Sequence, residues 1–132
     1  PLFAGPRAIA EHIVPEITRA AERAGRPAPR IIAGVAAVVT GGSDDVVAAA
    51  REAAATQTAF YDRVPSYRRI VELSGARRVA DLVVIGDEET VAAELRRYFD
   101  AGATELLITQ TQLAGETARR RTWRLLGELA AG

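Results

Sequence analysis

Val84–Thr109 reads VIGDEETVAAELRRYFDAGATELLIT, and this stretch decides the fold. Asp87 has the chemistry of a helix N-cap, and Glu88 and Glu89 follow where the positive end of the helix dipole favours acids. Val91, Leu95 and Phe99 recur every four residues and predict a buried stripe. Gly102 supplies the stop, and ELLIT at Glu105–Thr109 follows as a short apolar strand. A capped helix, a glycine turn and a returning strand make up one unit of an α/β barrel.

Upstream, RIIAGVAAVVT at Arg30–Thr40 is almost continuously apolar and rich in β-branched residues. Such a run predicts a strand buried on both faces, as in a parallel sheet. Gly34 within it marks close packing or a bulge. Before it, Ile9, Ile13 and Ile17 trace a helix that opens at Pro6 and ends at Gly25. Pro15 inside that helix is expected to kink or split it. Leu2–Gly5 reads as the tail of another strand.

Between the two strands, Gly41-Gly42-Ser43-Asp44-Asp45 breaks the chain and caps a helix running from about Asp45 to Arg63. Val46, Val47, Ala50, Ala54 and Tyr61 are its candidate inward positions. A shorter helix follows from Pro65 to Leu73, and Asp81–Ile85 suits an extended segment. The last helix, Glu116–Ala131, places Trp123, Leu126 and Ala130 on one side. Strands separated by helices predict parallel pairing with right-handed crossovers. Two long strands alone make a poor sheet, so further strands are expected to cover them.

Composition narrows the function. Apolar residues make up 48% of 132, enough for a real core. Seventeen basic residues, all arginine, balance 17 acidic ones, which argues against a nucleic-acid partner and against an anionic membrane surface. No apolar run approaches the ~20 residues of a membrane span, and no signal peptide is visible, so the expected location is cytoplasmic. Cysteine is absent and His12 is the single histidine, which excludes thiolate chemistry and a histidine-rich metal site. Methionine is absent too, so the chain is expected not to begin where translation began.

Four segments in order resemble the luciferase-like monooxygenase family, and within it the oxidoreductases that use the deazaflavin coenzyme F-420. They are GPRAIAEHIVPEITRAAERAGRP at Gly5–Pro27, RIIAGVAAVVT with its Asp pair, YDRVPSYRRIVELSG at Tyr61–Gly75, and VIGDEETV with DAGATELLIT. The resemblance covers most of the chain from Gly5 onward. It implies a (β/α)8 TIM barrel, of which residues 1–132 form the C-terminal portion, about strands six to eight with their helices. Leu2–Gly5 then ends strand six, Arg30–Thr40 is strand seven and Glu105–Thr109 strand eight. Residues 41–86 form a helical excursion after strand seven. A whole barrel takes ~250 residues. The family's main cofactor phosphate-binding stretch and most of its catalytic residues belong to the part before strand six. The chain alone is therefore expected to be catalytically incomplete.

The resemblance implies hydride transfer to or from a small organic substrate, with coenzyme F-420 as cofactor and FMN as the alternative. In a barrel the loops after the strands face the mouth. Thr109, Gln110 and Thr111 follow strand eight, where they either reach a ligand or merely solvate a strand end. Tyr61, Ser66, Tyr67 and Arg68 lie in the excursion, where they either line an entrance or serve as packing and surface charge. No catalytic acid or base is assigned. His12 lies mid-helix without a partner constellation. Gly41-Gly42-Ser43 precedes a helix N-terminus receptive to phosphate, but Asp44 and Asp45 repel an anion. Arg119, Arg120, Arg121 and Arg124 form a basic, solvated helix face.

Two classes of protein fit. One is part of such an oxidoreductase, inactive by itself. The other is a short α/β protein that pairs its exposed strand edges with another copy and binds rather than catalyses. Either way, the isolated polypeptide is expected to form homo-oligomers or to fold poorly.

Overall fold

The computed structural model describes all residues from Pro1 to Gly132. Strand β1 (Ile32–Val39) is the centre of a three-stranded parallel sheet, with β2 (Val84–Gly86) on one side and β3 (Glu105–Thr109) on the other. Ala37 to Val39 pair with Val84 to Gly86, and Ile32 to Ala36 pair with Glu105 to Thr109. Near its start, β1 also touches the N-terminal segment. The Gly34 amide donates to the Pro1 carbonyl at 2.6 Å, making a parallel bridge between Leu2 and Gly34. Gly34 has no side chain because the Leu2 side chain lies where one would stand; a Cβ there would meet Leu2 Cδ1 at 2.9 Å.

The apolar run of β1 is explained by two cores. Ala33, Val35, Ala37 and Val39 point to one face, where they pack with Ile9, Val91, Leu95, Tyr98 and Leu125. Ala36 and Val38 point to the other, against Phe3, Ala50, Ala54, Val71, Ile85 and Leu113. A fully buried valine contributes ~1.5–3 kcal/mol, so both faces stabilise the strand.

Six α-helices surround the sheet: α1 (Pro6–Ala8), α2 (Val14–Arg23), α3 (Asp44–Thr58), α4 (Pro65–Leu73), α5 (Glu88–Asp100) and α6 (Glu116–Ala131). A π-helical turn, Ile9–Ile13, joins α1 to α2. The helix is thus split near Pro15, as expected, by a π turn that ends just before it. Proline cannot donate an amide proton and crowds the carbonyl four residues back. The wider π turn just before it absorbs that misfit, and Pro15 then sits in the first turn of α2.

The helix at the centre of the deciding stretch is capped as its sequence predicts, with the Asp87 carboxylate accepting from the Thr90 amide at 2.9 Å. Its buried stripe is different. Val91, Ala92, Leu95 and Tyr98 are buried, while Phe99 is 49% exposed. At 100° per residue, eight steps overshoot two turns by about 80°, whereas seven fall only about 20° short. Tyr98 therefore continues the line of Val91 and Leu95. In α6 the buried face is also not the expected one: Ala118, Thr122 and Leu125 are buried, Leu126 is half-buried, and Trp123 and Ala130 are exposed.

The predicted helix from Asp45 to Arg63 divides. α3 stops at Thr58, and Tyr61–Arg63 forms a separate 3-10 turn. Val46, expected inside, is exposed. The extended segment expected at Asp81–Ile85 begins later: Val79–Leu82 is a 3-10 turn, and β2 follows it and joins the sheet.

β3 is the bare edge. None of its residues is fully buried. Leu107 pairs with Gly34 and shares the face of Ile32, Ala36 and Val38. Helices cover the upper half of that face, but Ile32 and Leu107 stand 45% and 60% exposed below them.

Candidate functional site

The strand ends carry the chain's least ordinary backbone. Phe3 and Gln110 are the two non-glycine residues with positive φ, at 57° and 61°. Each directly follows a residue paired with β1, Phe3 after Leu2 and Gln110 after Thr109. A side chain in the left-handed region costs ~1–2 kcal/mol, so both turns are held by their surroundings. For Phe3 the holding contacts are aromatic. Its ring meets Tyr61 at 4.9 Å and Tyr67 at 5.9 Å between centroids, and Tyr61 meets Tyr67 at 5.0 Å. All three contacts are edge-to-face, each worth ~0.5–1.5 kcal/mol beyond burial.

Tyr61 and Tyr67 are thus brought together, and both stay half-exposed. Phe3 is the partner that sequence reasoning missed. Its only signal was an apolar PLFAG segment too short to show a period. Ser66 and Arg68 are exposed on α4. Thr109 and Gln110 lie at the other strand end and are half-buried. Leu113, in the loop they begin, packs in the same apolar cluster as Phe3, with Tyr61 and Tyr67 against it. The two groups of candidate residues therefore flank one shared core.

Thr111 is buried and accepts a hydrogen bond from the Trp123 indole at 3.1 Å. Its hydroxyl thus anchors α6. The Arg119 guanidinium covers the Trp123 ring at 4.9 Å. Arg119 and Arg120 pair with Glu116, and Arg121 forms a fork with Glu88. Arg121 holds the Glu88 carboxyl below its ordinary range. The basic face of α6 is largely neutralised in this way.

No family model and no curated protein matches this chain. Its chemistry is therefore read from its own groups. His12 is exposed on the π turn. No group of three His, Cys, Asp or Glu side chains is placed to hold a metal ion. No helix is long and apolar enough to cross a membrane. At the N-terminus of α3, Ser43 makes no side-chain cap, and the Asp87 carboxylate stands close to Gly42. That carboxylate disfavours an anion at the Gly41-Gly42-Ser43 turn.

What the strand-end region offers is an aromatic, half-open wall. It has two phenol hydroxyls, a free Arg68 guanidinium, and polar Thr109 and Gln110 across a shared core. Such groups can stack on or hydrogen-bond to an organic molecule. They do not include a general base.

Proposed function

We propose that this chain forms the closing sector, strands six to eight, of a (β/α)8 barrel oxidoreductase of the luciferase-like kind. The barrel moves a hydride between a small organic substrate and the deazaflavin coenzyme F-420, with FMN as the alternative cofactor, and works in the cytoplasm. Tyr61, Tyr67, Arg68, Thr109 and Gln110 line the mouth, where they position cofactor or substrate against each other and keep water out. The chain supplies walls, and the reacting acid or base comes from elsewhere in the barrel.

One observation carries the proposal. The Leu2 segment, β1 and β3 lie side by side, all parallel, in the order in which the resemblance places strands six, seven and eight. Left-handed turns at Phe3 and Gln110 follow the Leu2 bridge and β3, at the ends where a barrel keeps its mouth.

The bare edge of β3 favours a second reading, in which copies of this chain join through it into a homo-oligomeric binding protein. The edge has no lysine, no proline and no bulge to discourage pairing, and exposed Leu107 lies on it. Intact mass of the gene product as the cell makes it separates the two. A polypeptide of ~250 residues fits the barrel. A 14.1 kDa polypeptide that is multimeric in native mass spectrometry overturns the barrel and leaves the assembly.

A further inference from the structure

A cavity of about 640 Å³ opens beside β2, away from the strand-end wall. Arg51, Arg77, Arg97, Tyr98, Thr90 and Ile85 are among its lining residues, together with two carboxylates, Asp81 and Glu94. We propose that this cavity binds a small phosphate-bearing molecule.

The charges decide the sign of the ligand. Asp81 is already engaged. It accepts from the Arg77 and Arg78 amides at 3.2 and 3.1 Å and from Arg78 Nε at 3.4 Å. Glu94 takes both its bonds from Arg97, at 2.8 and 3.1 Å. Arg78, which also reaches Glu52 at 3.7 Å, and Arg97 engage the two carboxylates. Arg51 and Arg77 make no ion pair, so the lining keeps a net positive charge, which suits a phosphate.

The donors are also in place. Gly86 turns its carbonyl to β1, accepting from the Thr40 amide at 2.7 Å. Neighbouring residues of a strand face opposite ways, so Val83 and Ile85 turn their peptide groups to the open edge of β2. Arg51 Nη1 donates to the Val83 carbonyl and, at 2.8 Å, to the Ala80 carbonyl, which fixes the guanidinium half-buried at the cavity wall. A guanidinium has five N–H donors, so Arg51 keeps others for a ligand. The Ile85 amide remains on the open edge. Tyr98 is 3% exposed and is among the residues that line the cavity. Cavities of a few hundred cubic ångströms suit small ligands.

The test is a titration of the protein with inorganic phosphate, followed by amide NMR against sodium chloride of equal ionic strength. The expected result is saturable shifts confined to Ile85, Arg77 and Tyr98, with chloride giving none. Arg77→Ala removes an exposed side chain and is expected to weaken phosphate about tenfold, the loss of one charge-assisted bond. Arg97→Gln is expected to weaken it as well, and Arg124→Ala, on the far helix α6, to leave it unchanged. Thermal melts check that each variant is folded. Shifts spread over the arginines of α6, or unaltered affinity in folded Arg77→Ala and Arg97→Gln, overturn the proposal.

Discussion

The Thr122 hydroxyl accepts a hydrogen bond from the Val39 amide at 2.8 Å and donates one to the Ala118 carbonyl at 2.7 Å. Both residues are completely buried. One side chain of the last helix therefore satisfies the last amide of the central strand and fixes α6 over its end. Thr122→Val keeps the shape and strands that amide. A loss of ~1–3 kcal/mol is expected in urea denaturation, with Thr122→Ser retaining most of the stability.

Gly102 joins α5 to β3 with φ of 115°, and a Cβ there would stand 2.7 Å from Val14 Cγ2. Valine is stiff about its only side-chain torsion, so it cannot swing aside cheaply. Gly102→Ala combines backbone strain with this clash. Its cost is expected to exceed ~1 kcal/mol by the same denaturation measurement.

Much of the fold was legible for the reason Gly102 illustrates. Caps, stops and continuous apolar runs are local signals, and Asp87, Gly102 and β1 all carry them. The errors came from geometry that one residue's neighbours do not reveal. A four-residue spacing drifts off a helix face, which is why Tyr98 and not Phe99 is buried. Pro15 is tolerated because the chain widens into a π turn before it, and the sequence has no mark for that. Of the candidate site, the Tyr61–Tyr67 pair was legible as two tyrosines in the excursion. Phe3 was not, because its contact with them depends on a tertiary turn some 60 residues away in sequence. Arg51 gave no signal at all. Nothing on its alanine-rich helix marks it out, yet it clips the edge of β2.

Acid and alkali act on different groups. At Asp81 burial works against the charge, but the Arg78 and Arg77 amides and the Arg78 guanidinium outweigh it and hold the carboxyl below its ordinary 3.8. A lowered carboxyl stabilises the fold above its unfolded pKa and stops doing so as pH falls through the folded value. Stability is therefore expected to drop below about pH 4, and Asp81→Asn to flatten part of that drop. Burial raises the Tyr98 hydroxyl from 10.0 to about 12. A raised phenol favours folding at pH below 10 and loses that contribution as pH rises towards 12. Tyr98→Phe is expected to remove this alkaline loss in pH-dependent melts.

Leu107 tests whether the bare sheet edge is used. Placing a charge on that face makes it unfit for burial against another strand or another chain. Leu107→Lys is expected to shift the isolated 132-residue polypeptide from oligomer to monomer in sedimentation, without lowering its helix content. An unchanged association state means that association, where it occurs, uses another surface.

The most direct measurement of the proposed function is a fluorescence titration of coenzyme F-420 into the gene product at its natural length, with FMN alongside. Saturable binding of the deazaflavin, weakened by a double Tyr61→Ala, Tyr67→Ala variant that still melts cooperatively, is the expected result. A folded gene product that binds neither F-420 nor FMN contradicts the assignment to a deazaflavin or flavin oxidoreductase.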